Sequence, residues 1–147
     1  MNAGTLENVA TSRCTSLNLR RAARAASHFL EQYLQPVDLH SSQFGILNQV
    51  SRAGKISLTR LSEEMSLDRT TMTRNLQILQ KRGLVEIALG LDRRVREIAL
   101  TDKGKTLLIE ALPLWQEAES ALEEKLGKEL RDTLLTLTIA IASLTIQ

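Results

Sequence analysis

The 147-residue chain is long enough for one domain with a modest hydrophobic core, and only 3% of its residues are aromatic. It has a formal net charge of +2 and a single cysteine, which excludes an internal disulfide and is typical of a reducing compartment. No apolar run approaches the ~18 residues of a membrane span, and the N-terminus lacks the apolar segment of a signal peptide. We therefore expect a cytoplasmic protein without a membrane partner.

The charge is unevenly distributed along the chain. Residues 55–105 contain 11 basic and 7 acidic residues, whereas residues 106–147 contain 3 basic and 7 acidic residues. This asymmetry is expected when one face of a protein approaches a polyanion and the opposite end does not. The middle of the chain is therefore the candidate region for binding nucleic acid.

The N-terminal part of the chain predicts an arm followed by two helices. Residues 1–12 are small and polar without periodicity, so we expect a flexible arm there. From about Ser16 the pattern predicts a long helix that ends before Pro36, because proline disfavours a helical conformation in the residue before it. A narrow apolar seam along this helix, typical of packing against other helices, is formed by Leu19, Ala23, Ala26 and Leu30. A second helix is predicted from about Ser41.

Two short helices separated by a tight turn are predicted between Ser57 and Lys81. Ser57 and Asp68 can each accept a hydrogen bond from an unpaired amide in the first turn of a helix, so each is placed to begin one of them. The apolar residues of the second helix fall on one face, at Met72, Leu76 and Leu79. The opposite face carries residue types that pair with base edges and phosphates, namely Thr70, Arg74, Gln77 and Lys81. These residues also suit an ordinary solvated surface.

A β-hairpin is predicted directly after the second short helix. Gly83 can end that helix at a positive φ. A period of two then places Val85 and Ile87 on one side of residues 84–88, and Ile98 and Leu100 on one face of residues 97–100. The loop between them carries Arg93 and Arg94, and such a loop can place a guanidinium group in the narrow minor groove of DNA. Asp92 is predicted to hold Arg94 by a charge-assisted hydrogen bond. An exposed turn pair of little energetic value is the alternative.

At these residues the chain resembles the MarR family of bacterial transcription regulators. The matching segments are LSEEMSLDRTTMTRNLQILQKRGLVE, the Asp92-Arg93-Arg94 motif and IALTDKGKTLL, and weaker similarity covers most of residues 13–145. The resemblance implies an obligate homodimer that binds an inverted repeat and usually represses nearby genes until a small ligand or an oxidant releases it. It places a recognition helix in the major groove and a wing arginine in the minor groove. The DNA-binding residues that it implies are Arg69, Thr70, Thr71, Arg74, Gln77, Asp92 and Arg94.

The C-terminal third of the chain predicts two further helices. Thr101 can cap the first one, which begins at Asp102, and Pro113 lies inside it. An interior proline costs a helix about 3 kcal/mol, so we expect a bend over residues 110–113. Gly127 separates the last helix, whose apolar stripe is formed by Leu130, Leu134, Leu137, Ile141 and Leu144. We assign the seams of the first and the last two helices to a homodimer interface, with packing inside one chain as the alternative.

The predicted fold is mostly α-helical with a small β-hairpin wing. Residues 40–101 form a winged helix-turn-helix, and residues 13–35 and 102–147 form the helical dimerisation region of the same intertwined unit. We predict a homodimeric, DNA-binding transcription regulator that represses nearby genes. The rival hypothesis is a helical dimer that acts as a protein-binding scaffold, in which Leu89 and Leu91 on the wing contact the partner.

Two further sites are predicted for the regulation of such a protein. A small-molecule effector can lodge between the dimerisation helices and the DNA-binding region, near His40, Phe44 or Trp115. Cys14 precedes the first long helix, where the pKa of a thiol can be lowered so that it acts as an oxidant sensor. A passive thiol that only packs or faces solvent is the alternative.

The remaining motifs argue against enzyme activity. Gly104-Lys105-Thr106 resembles the end of a phosphate-binding loop, but Ala99 occupies the position of the required earlier glycine. No serine, histidine and acidic residue are placed for a nucleophilic triad. His28 and His40 lack the accompanying ligands that a zinc site needs. We expect neither a metal nor a cofactor.

Overall fold

The structure is a computed structural model that describes residues 13–145 and, for Thr145, only the backbone. The predicted arm over residues 1–12 lies outside the described residues. Helix α1 (Thr15–Leu34) ends before Pro36, as predicted, and a 3₁₀ turn (Gln35–Val37) follows it. Helix α2 (Ser41–Ala53) then begins at the predicted residue.

The helix-turn-helix is formed by α3 (Leu58–Glu64) and α4 (Arg69–Lys81). The side chain of Ser57 accepts a hydrogen bond from the backbone nitrogen of Arg60 at 3.2 Å, and Asp68 accepts one from the backbone nitrogen of Thr71 at 2.9 Å. Both predicted caps are confirmed. They fix the first turn of each helix and thereby the geometry of the turn between them.

The sheet has three strands, one more than predicted. Strands β2 (Val85–Leu89) and β3 (Arg96–Leu100) form the expected antiparallel hairpin, and β1 (Lys55–Ser57) pairs with the other edge of β3. The sequence did not predict β1, because three residues are too few to show an alternating pattern. This strand joins the wing to the start of α3, so the wing is held against the helix-turn-helix.

Two more helices complete the described chain. Helix α5 (Asp102–Leu126) begins at Thr101, whose Oγ1 accepts a hydrogen bond from the backbone nitrogen of Gly104 at 3.0 Å. It continues through Pro113 as a helix, and the bend predicted there stays a prediction. Gly127, at φ 80°, separates α5 from α6 (Lys128–Ala142), and a short 3₁₀ turn (Ser143–Thr145) follows.

The hydrophobic core lies where the end of α1 and the turn after it meet α2, α3, α4, the sheet and the first half of α5. Its fully buried side chains include Leu34, Ile46, Leu47, Leu61, Met72, Leu76, Leu79 and Ile98. None of the described residues of α6 is buried. None of the described helices combines the length and apolar character that crossing a membrane requires. The core therefore stabilises the helix-turn-helix and its wing, while α6 remains exposed.

At Gly104, helix α5 packs closely against the residues that follow α4, and a substitution at this glycine tests that packing. A Cβ atom on Gly104 would lie 2.0 Å from the carbonyl oxygen of Leu84, and that oxygen is held by a hydrogen bond from the backbone nitrogen of Thr101 at 3.1 Å. We expect Gly104→Ala to lower the free energy of unfolding by about 1–3 kcal/mol, because a backbone group must move. Urea denaturation at one fixed protein concentration measures the change.

Gly90→Ala is the matched control for this substitution. At Gly90 an added Cβ would meet only the flexible side chain of Glu97, at 3.2 Å. A side chain can turn away where a backbone carbonyl cannot, so this variant is expected to lose less stability. Equal losses in the two variants would contradict the packing argument.

Candidate nucleic-acid interface

The outer face of α4 is an exposed polar surface. Arg69, Thr70, Arg74 and Gln77 are exposed, while three apolar residues of the same helix are buried in the core: Met72, Leu76 and Leu79. Together with Thr73 these four residues line a shallow depression along the helix. Lys81, in the last turn, is also exposed. The predicted DNA-binding residues of this helix are therefore accessible to a large ligand.

The beginning of α4 is organised by a hydrogen-bonded pair. The Oδ2 atom of Asp68 accepts a hydrogen bond from Oγ1 of Thr71 at 2.7 Å, and its Oδ1 atom accepts the backbone bond described above. The bond from the Thr71 hydroxyl, followed by the one from the Thr71 backbone, holds the pKa of the Asp68 carboxyl below its usual value. The hydroxyl proton of Thr71 is thus used inside the protein, and a DNA contact by this exposed residue stays a prediction.

The tip of the wing is a closed loop. The backbone nitrogen of Gly90 donates to the carbonyl of Val95 at 2.8 Å, and the nitrogen of Val95 donates to the carbonyl of Asp92 at 2.8 Å. Oδ1 of Asp92 accepts a hydrogen bond from the backbone nitrogen of Arg94 at 3.0 Å and lies 3.5 Å from Nε of the same arginine. The side chains of Arg93 and Arg94 are both exposed. A backbone hydrogen bond and an ion pair thus join Asp92 to Arg94, and the role of Asp92 in orienting this exposed arginine stays a prediction.

A groove between α4 and the wing brings these two elements together. Arg69 and Gln77 from α4 line it on one side, and Arg94 from the wing lines it on the other. Five of its polar lining residues were not predicted as site residues: Ser57, Thr59, Thr73, Gln80 and Arg96. They come from α3 and the residue before it, from α4 and from β3, and the groove brings these distant segments together.

A second depression continues the positive surface away from the wing. Ser57 lines both the groove and this depression, which also contains Arg52, Lys55 and Arg60. Nε of Arg60 donates to Glu64 at 2.7 Å, and this hydrogen bond, followed by one from Gln49, lowers the pKa of the Glu64 carboxyl. Basic side chains thus extend from the wing to the end of α2.

The residues predicted to bind an effector have different surroundings. Phe44 is buried and its ring stacks on that of Trp115, with 5.5 Å between the ring centroids. His40 is exposed and precedes α2, and its Nδ1 atom lies 3.3 Å from a carboxylate oxygen of Glu31. The aromatic pair thus packs in the core, while His40 links α1 to α2. Effector binding at these residues stays a prediction.

Cys14 is exposed and directly precedes α1. Its carbonyl oxygen accepts a hydrogen bond from the backbone nitrogen of Asn18 at 3.0 Å, which begins the helix. Oxidant sensing by Cys14 stays a prediction. Within residues 13–145, no group of three or more histidine, cysteine or acidic side chains is arranged to hold a metal ion.

Comparison with known proteins identifies the family of the chain. The sequence profile of the MarR family matches residues 37–95, from the end of the first 3₁₀ turn to the wing. The transcriptional regulator MosR of M. tuberculosis, solved in complex with DNA, is 30% identical and superposes with a TM-score of 0.80 over 90% of this chain and 99% of that chain. The chain belongs to the MarR family.

Other relatives agree with membership of the MarR family. A mutant of MarR from E. coli, solved with operator DNA, is 26% identical, with a TM-score of 0.75 over 84% of this chain and 89% of that chain. The repressor CouR, solved with a 23-mer DNA duplex, is 28% identical, with a TM-score of 0.78 over 97% of this chain and 98% of that chain. YhbI of Bacillus subtilis, an uncharacterized HTH-type transcriptional regulator, is 30% identical over 98 residues, and the match spans 66% of this chain but only 64% of that protein.

Family membership confirms the resemblance found in the sequence and the winged helix-turn-helix fold. The MarR family consists of transcription regulators, so the chain is a regulator with a DNA-binding fold. This assignment agrees with the prediction that the chain is not an enzyme.

The cap formed by Asp68 predicts a pH-dependent contribution to stability. Because folding lowers the pKa of this carboxyl below its ordinary value of 3.8, the cap stabilises the protein above that value and its contribution is lost as the pH falls through the lowered pKa. We expect Asp68→Ala to lower the free energy of unfolding at about pH 7 and to lose less further stability than the parent on acidification to about pH 3. Urea denaturation at the two pH values measures both effects.

Ser57→Ala is the control for the charge of the cap. Ser57 caps α3 through an uncharged hydroxyl, so its removal is expected to lower stability by a similar amount at both pH values. If the two variants show the same dependence on pH, the argument for Asp68 fails.

Proposed function

We propose that the chain is a homodimeric transcription regulator that binds double-stranded DNA at an inverted repeat, with α4 in the major groove and Arg94 in the minor groove. The groove between α4 and the wing carries the proposal. Three arginines line it, Arg69, Arg94 and Arg96, and none of the described residues that line it is acidic. Guanidinium groups on two rigid elements match a ligand that has phosphates on both sides of a groove.

The recognition helix and the wing have different tasks in this proposal. Arg74 and Gln77, on the outer face of α4, pair with base edges, and Thr70 and Lys81 contact a thymine methyl group or phosphates. Arg94 enters the minor groove, where the negative potential is strongest, while Asp92 keeps its side chain oriented. Arg93 contacts the phosphate backbone beside it. This division is supported by the exposure of all these side chains.

The shape of α6 supports a homodimer. Leu130, Leu134 and Leu137 lie on one face of this helix with 57%, 54% and 42% of their surfaces exposed, and Leu135 and Ile139 lie on the opposite face with 62% exposed. A helix that is apolar on two faces is stable in water when other protein surfaces bury the apolar side chains of both faces. A second copy of the chain supplies it through the dimerisation region, residues 13–35 and 102–147.

Ion pairs between α5 and α6 fix the orientation of α6 relative to α5. Nη2 of Arg131 lies 3.2 Å from Oε2 of Glu119, and its Nη1 donates to Glu123. Both acidic residues belong to α5, so the arginine ties the first turn of α6 to the end of that helix. Two copies joined through α6 would hold two recognition helices about one DNA turn apart, roughly 34 Å, which fits an inverted repeat.

Regulation follows from the dimer. The bound protein represses nearby genes, and a small molecule near His40, Phe44 or Trp115, or oxidation of Cys14, releases it. An effector acts by binding one spacing of the two recognition helices better than another. The rival hypothesis, a protein-binding scaffold, is favoured by the exposed Leu89 and Leu91 on the wing and predicts no sequence-selective DNA complex.

DNA binding is expected to depend steeply on salt, because each phosphate contact releases counterions. Bound DNA is first selected from a random pool and examined for a two-fold symmetric site. The affinity for that site is then expected to fall by about 10³-fold or more between about 50 and 200 mM salt, as measured by gel shift. If the protein ignores DNA at low ionic strength, or if sedimentation shows a monomer, the proposed function is wrong.

Two single substitutions separate the recognition helix from the wing. Arg94→Ala is expected to weaken binding to all sequences, because an arginine in the minor groove is attracted by the negative potential of the phosphates. The salt slope, which is the slope of log affinity against log salt concentration, is expected to become shallower by about one for each copy of the chain. Arg74→Ala is expected to cost about 1–3 kcal/mol at the selected site and to relax the choice of base there. Gel shifts with the selected site and single-base variants of it measure both effects.

Arg20→Ala is the control for loss of a single positive charge. Arg20 is an exposed arginine on α1, outside the groove and outside the apolar seam of that helix. This variant is expected to bind like the parent. Parent-like binding by Arg74→Ala and Arg94→Ala would overturn the assignment of these residues.

A further inference from the structure

The tip of the wing carries an apolar side chain that the fold does not use. Leu91 is fully exposed, and Leu89, at the end of β2, is 64% exposed. A single exposed leucine on a protein surface needs no explanation. Here, however, two leucines lie at the end of one hairpin that already carries the predicted minor-groove arginine. Since Leu91 is in water in the free protein, burying its side chain in a complex would contribute to the free energy of binding.

The closed loop holds Leu91 and Arg94 in fixed relation. Leu91 lies between Gly90 and Asp92, and both of these residues make the backbone hydrogen bonds that close the tip, at 2.8 Å each. Asp92 also holds the backbone and Nε of Arg94. Little conformational freedom is therefore lost when the two side chains enter one site together.

The charges around Leu91 indicate what covers it. Arg93 and Arg94 follow it in the same loop, and Arg96 lies opposite Leu89 in the hairpin register. Two acidic residues are near the tip: Asp92, which is already engaged by Arg94, and Glu97 of β3, whose side chain lies beside Gly90. An apolar side chain among exposed guanidinium groups suits a negatively charged cleft with apolar walls, which is how the minor groove presents deoxyribose rings between two rows of phosphates.

We infer that Leu91 enters the minor groove beside Arg94, packs against deoxyribose and base edges, and partly unstacks the base step that it meets. This inference rests on the proposed binding of DNA. The unstacking cost is smallest at flexible pyrimidine–purine steps such as TA and CA, so the wing selects such steps without hydrogen bonds to bases. Leu91 is then a specificity-determining residue that acts through the deformability of DNA.

The experiment uses the full-length protein and the DNA site selected from a random pool. 2-Aminopurine replaces adenine in the step that lies under the wing, and its fluorescence rises when the base loses its stacking partners. The parent protein is expected to increase this fluorescence and to bind a site with TA at that step more tightly than one with AA. Leu91→Ala is expected to abolish the increase, to weaken binding to the TA site by about 10-fold and to leave the salt slope unchanged.

A conservative variant makes the result specific. Leu91→Met keeps an apolar side chain of similar volume and is expected to retain the fluorescence increase and the preference for TA. Loss of both in Leu91→Met would contradict a role for the apolar side chain.

The outcomes separate this inference from the proposed function. If the parent forms a salt-sensitive complex without a rise in fluorescence, or if Leu91→Ala behaves like the parent, the insertion of Leu91 into the minor groove is overturned while the proposed function stands. In that case the apolar tip faces solvent or a protein partner. If the parent binds no DNA at any salt concentration, both proposals are overturned.

Discussion

The antiparallel pairing of β3 with strands on both sides is the interaction on which the proposed DNA-binding surface depends. Ile98 of β3 lies opposite Ile56 of β1 and Ile87 of β2, so one strand joins the wing to the beginning of the helix-turn-helix. Because β3 pairs with a strand on each edge, the base of the wing and the residues before α3 belong to one sheet. The spacing between Arg94 and the recognition helix is therefore set by the sheet.

The sequence predicted the features of this protein that depend on neighbouring residues. Caps at Ser57, Asp68 and Thr101 are local hydrogen bonds to amides three residues later, and the positive φ of Gly83 is a property of one residue. The exposed face of α4 followed from helical periodicity. These local rules gave the order of elements and most of the candidate site.

The parts that the sequence did not predict depend on contacts between distant segments. Strand β1 exists because β3 offers it an edge, and its three residues carry no pattern of their own. Gln80 and Arg96 join the site because the wing lies beside that flank of α4. Helix α6 has two apolar faces, and the sequence pattern identified only one of them. The apolar residues of that face repeat every four and three residues, whereas Leu135 and Ile139 lie outside this repeat.

Near Gly104, the first turn of α5 is joined to the end of α4, so the orientations of the two helices are linked. Oγ1 of Thr101 donates to the carbonyl of Gly83 at 2.6 Å, and Nζ of Lys103 donates to the carbonyl of Arg82 at 2.8 Å, so the first turn of α5 is fastened to the end of α4. A helix of 25 residues is about 37 Å long, and a tilt of about 5° at one end displaces the other by about 3 Å. Under the proposed function, small rearrangements at the far end of α5 would reorient the surface that reads the duplex.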